Sequence, residues 1–569
     1  MANWDNVNIS TSDFVEQRSG GPAKVQSGTY TIIYELRNPN PRAMALHPLL
    51  VRAESAPDLD FNLDVCPSLD QSLSTYSNFP AYIIRVLFRY CKAFENYEEI
   101  PALARRPLPD GYKTKQFPIR VSTIEENSIT GNLAVHEDVF ITQLKLTPTE
   151  LSRQAILSIN DQATQALNRG CKAVRAFDLN PFLRAQVFQL GIGLFHLCLN
   201  LIWAILHSHR GHENTEGSLN YFFVLLGKAR LGGKAPDYHS LLAAFMQILD
   251  GLLLDAWRIQ CGSTSLSAFA ATKPTKEQIL STADKILSEH VMPDRCTTTS
   301  APDNVHGNIR KLIHDLLHVA EVTRAISAGD FGRVEDLLGN LAMIFRGAGS
   351  KNYCTEILYF MHNLKYVWKG DGFECVITSY FGPLLMLSPS ELVRDNMIFN
   401  MSGGKSKGQG VDMNLEHNIG KIKARNFPGC GYDSNLEQEL FASKGVYGRW
   451  DRLANISAAI DVLDAIKTSM AASLGASYCG TGHKDVDTSD LVWRVARKAG
   501  EIHLNVSQLN RQAKATPDLL LVGEAALKSS SLGTFNKKRG ELLKGIISTT
   551  EEDTDDIPTS DIVVEEHSE

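Results

Sequence analysis

The chain lacks most of the signatures by which enzyme families are read. Its ten cysteines are scattered over 569 residues with no C-x-x-C pair. That argues against a zinc ribbon and a disulfide framework, so reduced thiols in an intracellular protein of the nucleus or cytoplasm are expected. No G-x-S-x-G elbow is present, and no nucleophile has an evident base beside it. A repeat of fixed period is also missing, which speaks against a solenoid or propeller. Met1 to Ser10 is polar and carries no basic-then-apolar leader. One long uncharged run exists, Gln186 to Leu206, and its length would span a bilayer. Gln186, Gln189, His196 and Asn200 lie within it, and Gly191 and Gly193 interrupt it. A buried strand running into a buried helix is therefore expected, with no membrane partner.

Strong charge is lacking too. The formal net charge is −7, and nine acids without a Lys or Arg crowd into Glu551 to Glu569; without them the balance is +2. Such a tail repels itself and is expected to be disordered over 546–569. A near-neutral body neither demands nor forbids nucleic acid.

What is present is a folded composition, 43% hydrophobic and 21% charged, in a chain long enough for about two to four structural units. Strands are expected at 3–9, 28–36, 139–146, 155–160 and 187–194, all in one sheet flanked by helices 162–176 and 196–209. Strand, helix, strand between 155 and 194 is a βαβ unit, so the sheet should be partly parallel. Prolines fill 38–118, where one helix around 81–94 stands out. From Ser218 to about Trp368 the pattern is almost wholly helical, and helices return at 413–423, 450–474 and 491–499. The fold class is α/β (α+β), mainly helical.

Several motif echoes carry no chemistry. Asp330-Phe331-Gly332 lacks the loops that would make it a kinase triplet and reads as a helix-boundary turn. Gly404-Lys405-Ser406 has Phe399 where a phosphate loop needs its leading glycine. His207, His209 and His212 have no acid or cysteine at ligand spacing and read as an exposed helix end.

One constellation remains. Asp5 sits in the first strand, Asp161 ends a later one, and Glu416 lies on the helix opened by Asp412-Met413-Asn414-Leu415. Two strand-borne aspartates and a helix-borne glutamate are the hard oxygen ligands that hold paired Mg²⁺ or Mn²⁺ about 4 Å apart in phosphoryl transfer. Asp412 is the substitute ligand. The competing reading makes Asp5 and Asp161 strand-end turn residues and leaves Glu416 solvated.

The blocks Asn3-Trp-Asp-Asn-Val-Asn-Ile, Ile159-Asn-Asp-Gln with Gln165 to Arg169, Gly193-Leu-Phe-His-Leu, Ile344-Phe-Arg-Gly-Ala-Gly-Ser-Lys-Asn-Tyr and Asp412-Met-Asn-Leu-Glu-His resemble an uncharacterised family of mushroom-forming fungi, the domain of unknown function family numbered 6589. The resemblance runs from about Asp5 to Lys538 and supplies no activity. Its layout is in turn similar to that of transposases. Asp161, Phe195-His196 and Glu416 follow one another as in Mutator-like elements, with Asp5 as the first aspartate.

That likeness implies an RNase H-like core over 1–37 and 119–210, interrupted by the Pro-rich 38–118. A helical domain over 211–400, helices returning to the core over 401–500 and an extension over 501–545 complete the layout. The function it implies is a metal-dependent polynucleotidyl transferase or nuclease acting on DNA, or an inactive descendant. His196 would pack the helix or support a ligand. The alternative is a non-catalytic helical scaffold for protein partners. Segments 369–393, 403–410 and 425–444 are foreign to the family pattern, as translated introns would be, and much of 369–393 and 425–444 is expected outside the packed core.

Overall fold

A computed structural model describes residues 1–10, 25–293, 303–370, 378–379, 382–383, 388–426, 453–475, 487–508 and 511–546. The acidic tail and 425–444, apart from the helix end at 425–426, lie outside the described residues, as do Phe381 and Leu385.

Five strands form one mixed sheet: β1 (Ala2–Ser10), β2 (Val25–Tyr34), β3 (Gln116–Pro118), β4 (Ile156–Asn160) and β5 (Phe188–Ile192). Their order across the sheet is β3-β2-β1-β4-β5. β2 runs antiparallel to both β1 and β3, while β1, β4 and β5 are parallel. β1 and β2, adjacent in the chain, pair antiparallel along the whole length of β1. Each parallel step instead uses a longer crossover, and the Gln162–Val174 helix supplies the one from β4 to β5. All five residues of β5 are buried, as expected of a parallel strand covered on both faces. The uncharged run from 186 is thus β5 leading into the buried helix Leu194–His209.

Residues 139–146, expected as a strand, are instead a wide helical turn over Glu137–Gln143. Ser128 caps the preceding Ile129–His136 helix. Asn132, Val135, His136, Val139 and Phe140 are then buried at helical spacing. Tertiary burial on Phe188 (Phe140 ring centroid at 5.4 Å) overrides the β-branched composition. The fifth strand comes from the proline-rich region, where Gln116–Pro118 pairs with Ile32–Tyr34 at the edge of the sheet, one of the few places a strand tolerates proline.

His136 gives this core a pH dependence. Its ring lies 4.1 Å from that of Phe188, and its Nε2 bonds Asn168 at 2.9 Å. Burial, with Lys172 nearby, outweighs the Asn168 bond and lowers its pKa to about 3. The folded protein therefore keeps it neutral while the unfolded chain takes up a proton below about pH 6.5. Stability is lost as pH falls from there toward the folded pKa, about 2 kcal/mol from this residue near pH 5. Urea titrations should show His136→Gln losing about 2 kcal/mol less than wild type between pH 7 and pH 5. Parallel pH profiles would contradict the assignment.

The remaining mass is helical. Tyr238–Gln260 is long and apolar enough to cross a membrane, yet 78% of its apolar window is buried inside the protein. Its Asp250 accepts the hydroxyls of Tyr82 and Tyr90 at 2.8 and 2.9 Å. His209 is buried and pairs with Asp315 at 2.7 Å. The expected exposed histidine end fails there, because the acid comes from a helix about a hundred residues on. Asp330 caps the Phe331–Gly347 helix and also accepts the backbone N–H groups of Arg105 and Arg106.

The described end of one segment expected to be foreign, 388–393, and all of another, 403–410, join the body. Leu392 and Val393 of the Pro389–Asp395 helix are buried, and Asp395 binds Arg37 at 2.7 Å. Residues 403–410 form a turn in which Gln409–Gly410 pairs with Ile398–Phe399, and Gly408 N–H donates to Ser327. Within 501–545, read only as an extension, lie the Leu519–Ala526 and Leu532–Leu543 helices, which bury Leu519, Leu532 and Phe535.

Candidate metal centre

Sheet register places the first two acids. β1 and β4 pair with Ala2 opposite Ser158. Three residues further along both strands, Asp5 comes level with Asp161. Trp4 N–H ties β1 to β4 by donating to Asn160 Oδ1 at 2.9 Å, and Gln165 ties β4 to β5 by donating to the carbonyls of Ser158 and Gly191 at 2.9 and 2.7 Å. Asp161 ends β4 and caps the helix after it, accepting Thr164 N–H at 2.7 Å. A strand end followed at once by a capped helix is what its sequence context predicts.

The third acid arrives on the Val411–Asn426 helix. Asn414 anchors that helix to the sheet by donating to Tyr34 Oη at 2.9 Å and Gln116 Oε1 at 2.7 Å. Asp412 is buried and accepts the N–H groups of Phe195 and His196 at 3.0 and 2.9 Å, as well as His196 Nδ1 at 3.1 Å. The Leu194–His209 helix begins on Gly193, which has no side chain to cap it, and Asp412 supplies the missing anion from outside. Two glycines make room. A Cβ on Gly193 would stand 2.6 Å from one Asp412 oxygen, and a Cβ on Gly410 would stand 2.5 Å from the other. Asp412 is thus committed to holding His196 and is not the substitute ligand expected from the sequence.

Glu416 lies one turn beyond Asp412 on the same helix face. His196 Nε2 is 3.8 Å from Glu416 Oε1. Asp5, His196 and Glu416 each offer a ligand atom, and the three atoms lie within 4.8 Å of one another. Asp161 stands outside this triplet but acts through its charge on Asp5 and His196. A fourth acid completes the group. Glu126 is buried, accepts Thr164 Oγ1 at 3.2 Å and lies close enough to feel the charges of Asp5 and Asp161.

Such crowding has a cost that the protonation states absorb. Burial, then the charges of Glu416 and Asp161, hold the Asp5 carboxyl well above its usual range despite His196 and the Asn6 N–H. Burial, then Asp5 and Asp161, does the same to Glu126. For His196, burial favours the neutral ring, but the Asp412 hydrogen bond and the charges of Asp412, Asp161 and Glu416 outweigh it and raise the pKa to about 10. Four acids and an imidazole thus crowd one point, and the neutral form of Asp5 and Glu126 is favoured there. Those donors are what a hard or borderline divalent cation takes, and a cation there would relieve the same repulsion. Asp412 on Nδ1 would leave Nε2 as the ligating atom, the usual carboxylate-histidine arrangement of metal sites.

The family match covers residues 54–483, about three quarters of the chain, and is described as a family of unknown function (DUF6589). The chain belongs to that family. No curated protein and no solved structure matches it. Asp161, His196, Asp412 and Glu416 all lie within the DUF6589 match, as does Glu126, whereas Asp5 precedes it. Sequence reasoning found Asp5, Asp161 and Glu416, and the structure brings all three to one end of the sheet. It missed Glu126, which sits in an unpatterned loop, and the hydrogen bonds that tie Asp412 to His196. The glycines at 193 and 410 were the available signal for Asp412, since both flank its carboxylate.

Proposed function

We propose that this protein is a metal-dependent phosphoryl-transfer enzyme of the polynucleotidyl-transferase and nuclease kind, built on an RNase H-like core and derived from a transposase. The observation that carries the reading is the meeting of Asp5 from the central strand, Asp161 from the end of the adjacent parallel strand, and Glu416 with His196 from two helices. The sheet order β3-β2-β1-β4-β5, with only β2 reversed, supports it. A bound divalent ion supplies Lewis acidity and an activated oxygen nucleophile. Asp5 and Glu416 would hold it, with Asp161 flanking them. Asp412 fixes the His196 ring so that one nitrogen faces the site. A nitrogen in the ligand set favours Mn²⁺ over Mg²⁺. DNA is the proposed substrate.

The test is a supercoiled-plasmid nicking assay with the purified full chain and Mn²⁺ or Mg²⁺. Wild type should nick with Mn²⁺ preferred, and Asp161→Asn should not. Asp412→Asn, which touches no substrate, should lose about 10–100-fold in rate or metal affinity. Equal metal binding by wild type and Asp161→Asn, with nicking by neither, would leave the non-catalytic scaffold in possession.

A further inference from the structure

A second cleft, of about 200 Å³, opens where the C-terminal part of the Gln162–Val174 helix meets the Leu46–Ser55 and Leu532–Leu543 helices. Lys172, which lines it, lies eleven residues beyond Asp161, about 16 Å along the helix, so the cleft is separate from the acidic centre. Its charges are unevenly matched. Arg169 is held by Glu356 through two bonds, at 3.0 and 2.7 Å, and stacks on Tyr359. Arg539 is nine-tenths buried, and one Nη bonds Asp58 at 2.8 Å, but its Nε has no hydrogen-bond partner. The Lys172 ammonium bonds the Phe188 carbonyl at 2.6 Å. Burial, with Arg169 next in effect, lowers its pKa to about 8. Glu54 lies at the exposed rim; Leu49, Leu50, Leu190 and Leu543 form an apolar strip of the wall, and Gln186, Gln189, His362 and Asn363 add polar groups. A buried donor without an acceptor is costly, and a ligand oxygen would offset that.

We propose that this cleft binds a small amphipathic monoanion, a carboxylate with a short hydrocarbon body, its head at Lys172 and Arg539 and its body along the leucine wall. A cationic group beside an apolar strip is the arrangement that takes a ligand with a charged head and a hydrocarbon body. The proposal is independent of the chemistry at the acidic centre.

The experiment is isothermal titration of the full chain with octanoate, with 1-octanol as the uncharged body and inorganic phosphate as the bodiless anion. Wild type should bind octanoate, and Lys172→Met should weaken that binding by at least about tenfold. Octanol should bind wild type and Lys172→Met alike. Leu543→Asp, on a half-exposed wall residue, should weaken octanoate without unfolding the protein. Absence of octanoate binding by wild type, unchanged binding by Lys172→Met, or phosphate binding as tightly as octanoate would each overturn the proposal.

Discussion

Replacing Asp5 with asparagine is expected to make the metal-free protein more stable while removing the proposed nicking activity. Asp5 is pressed by burial, then by Glu416 and Asp161, toward its neutral form. Asparagine has the shape of that neutral acid and keeps an oxygen for the Asn6 N–H, which Asp5 accepts at 2.7 Å. The linkage sign follows from the raised pKa. Above the ordinary aspartate pKa the unfolded chain releases a proton that the folded chain retains, so Asp5 costs stability as pH rises from there. The Asp5→Asn substitution removes that cost, and its gain should be largest at neutral pH, about 1–2 kcal/mol. Nicking should fall by about 10²–10³-fold, the usual loss when a group that stabilises developing charge is removed. Melting curves with and without Mn²⁺ provide the check. Wild type should gain stability from Mn²⁺ and the variant should not. A variant melting below wild type without metal would contradict the crowded-acid account.

The second large effect lies in the helical body. Arg333 and Glu321 are both buried, with Nε and Nη2 each 2.8 Å from one Glu321 oxygen, to which Asn78 also donates at 2.9 Å. Burial raises the Glu321 pKa even with these partners present. Arg333→Met leaves that carboxylate in the core without its cation and should cost about 3–5 kcal/mol. Replacing both residues with apolar ones of similar volume should recover most of the loss, less the unmet Asn78 donor. Urea midpoints of the single and double variants decide this. A double variant no better than Arg333→Met would show that the pair is not the origin of the effect.

How much of this was legible follows from how local each signal is. β1, β2, β4 and β5 announce themselves because side-chain alternation or a continuous apolar run lies within a few residues, and Asp161 is readable because the strand end and helix start are contiguous. Asp5 and Glu416 could be named as candidates only because their residue types suit metal chemistry; their meeting depends on a register set by Ala2 and Ser158 and on Asn414 reaching Tyr34. The Gln116–Pro118 strand is too short to alternate and sits among prolines. The 139–146 segment was misread because valine, phenylalanine and isoleucine fit a strand or a buried helix face equally, and only Phe188 decides. His209 with Asp315, and Asp412 with the start of another helix, are pairs between distant elements. Residues 388–393 and 403–410 looked foreign because their local pattern breaks, yet their attachment is decided by distant partners: Arg37 at Asp395, and Ser327 and the Ile398–Phe399 strand at 403–410.

The most direct measurement is anomalous diffraction from crystals of the full chain soaked in Mn²⁺. The account predicts a manganese peak bounded by Asp5, His196 Nε2 and Glu416, lost in crystals of Asp5→Asn. Manganese bound elsewhere on the molecule, with nothing between these three side chains, would contradict it.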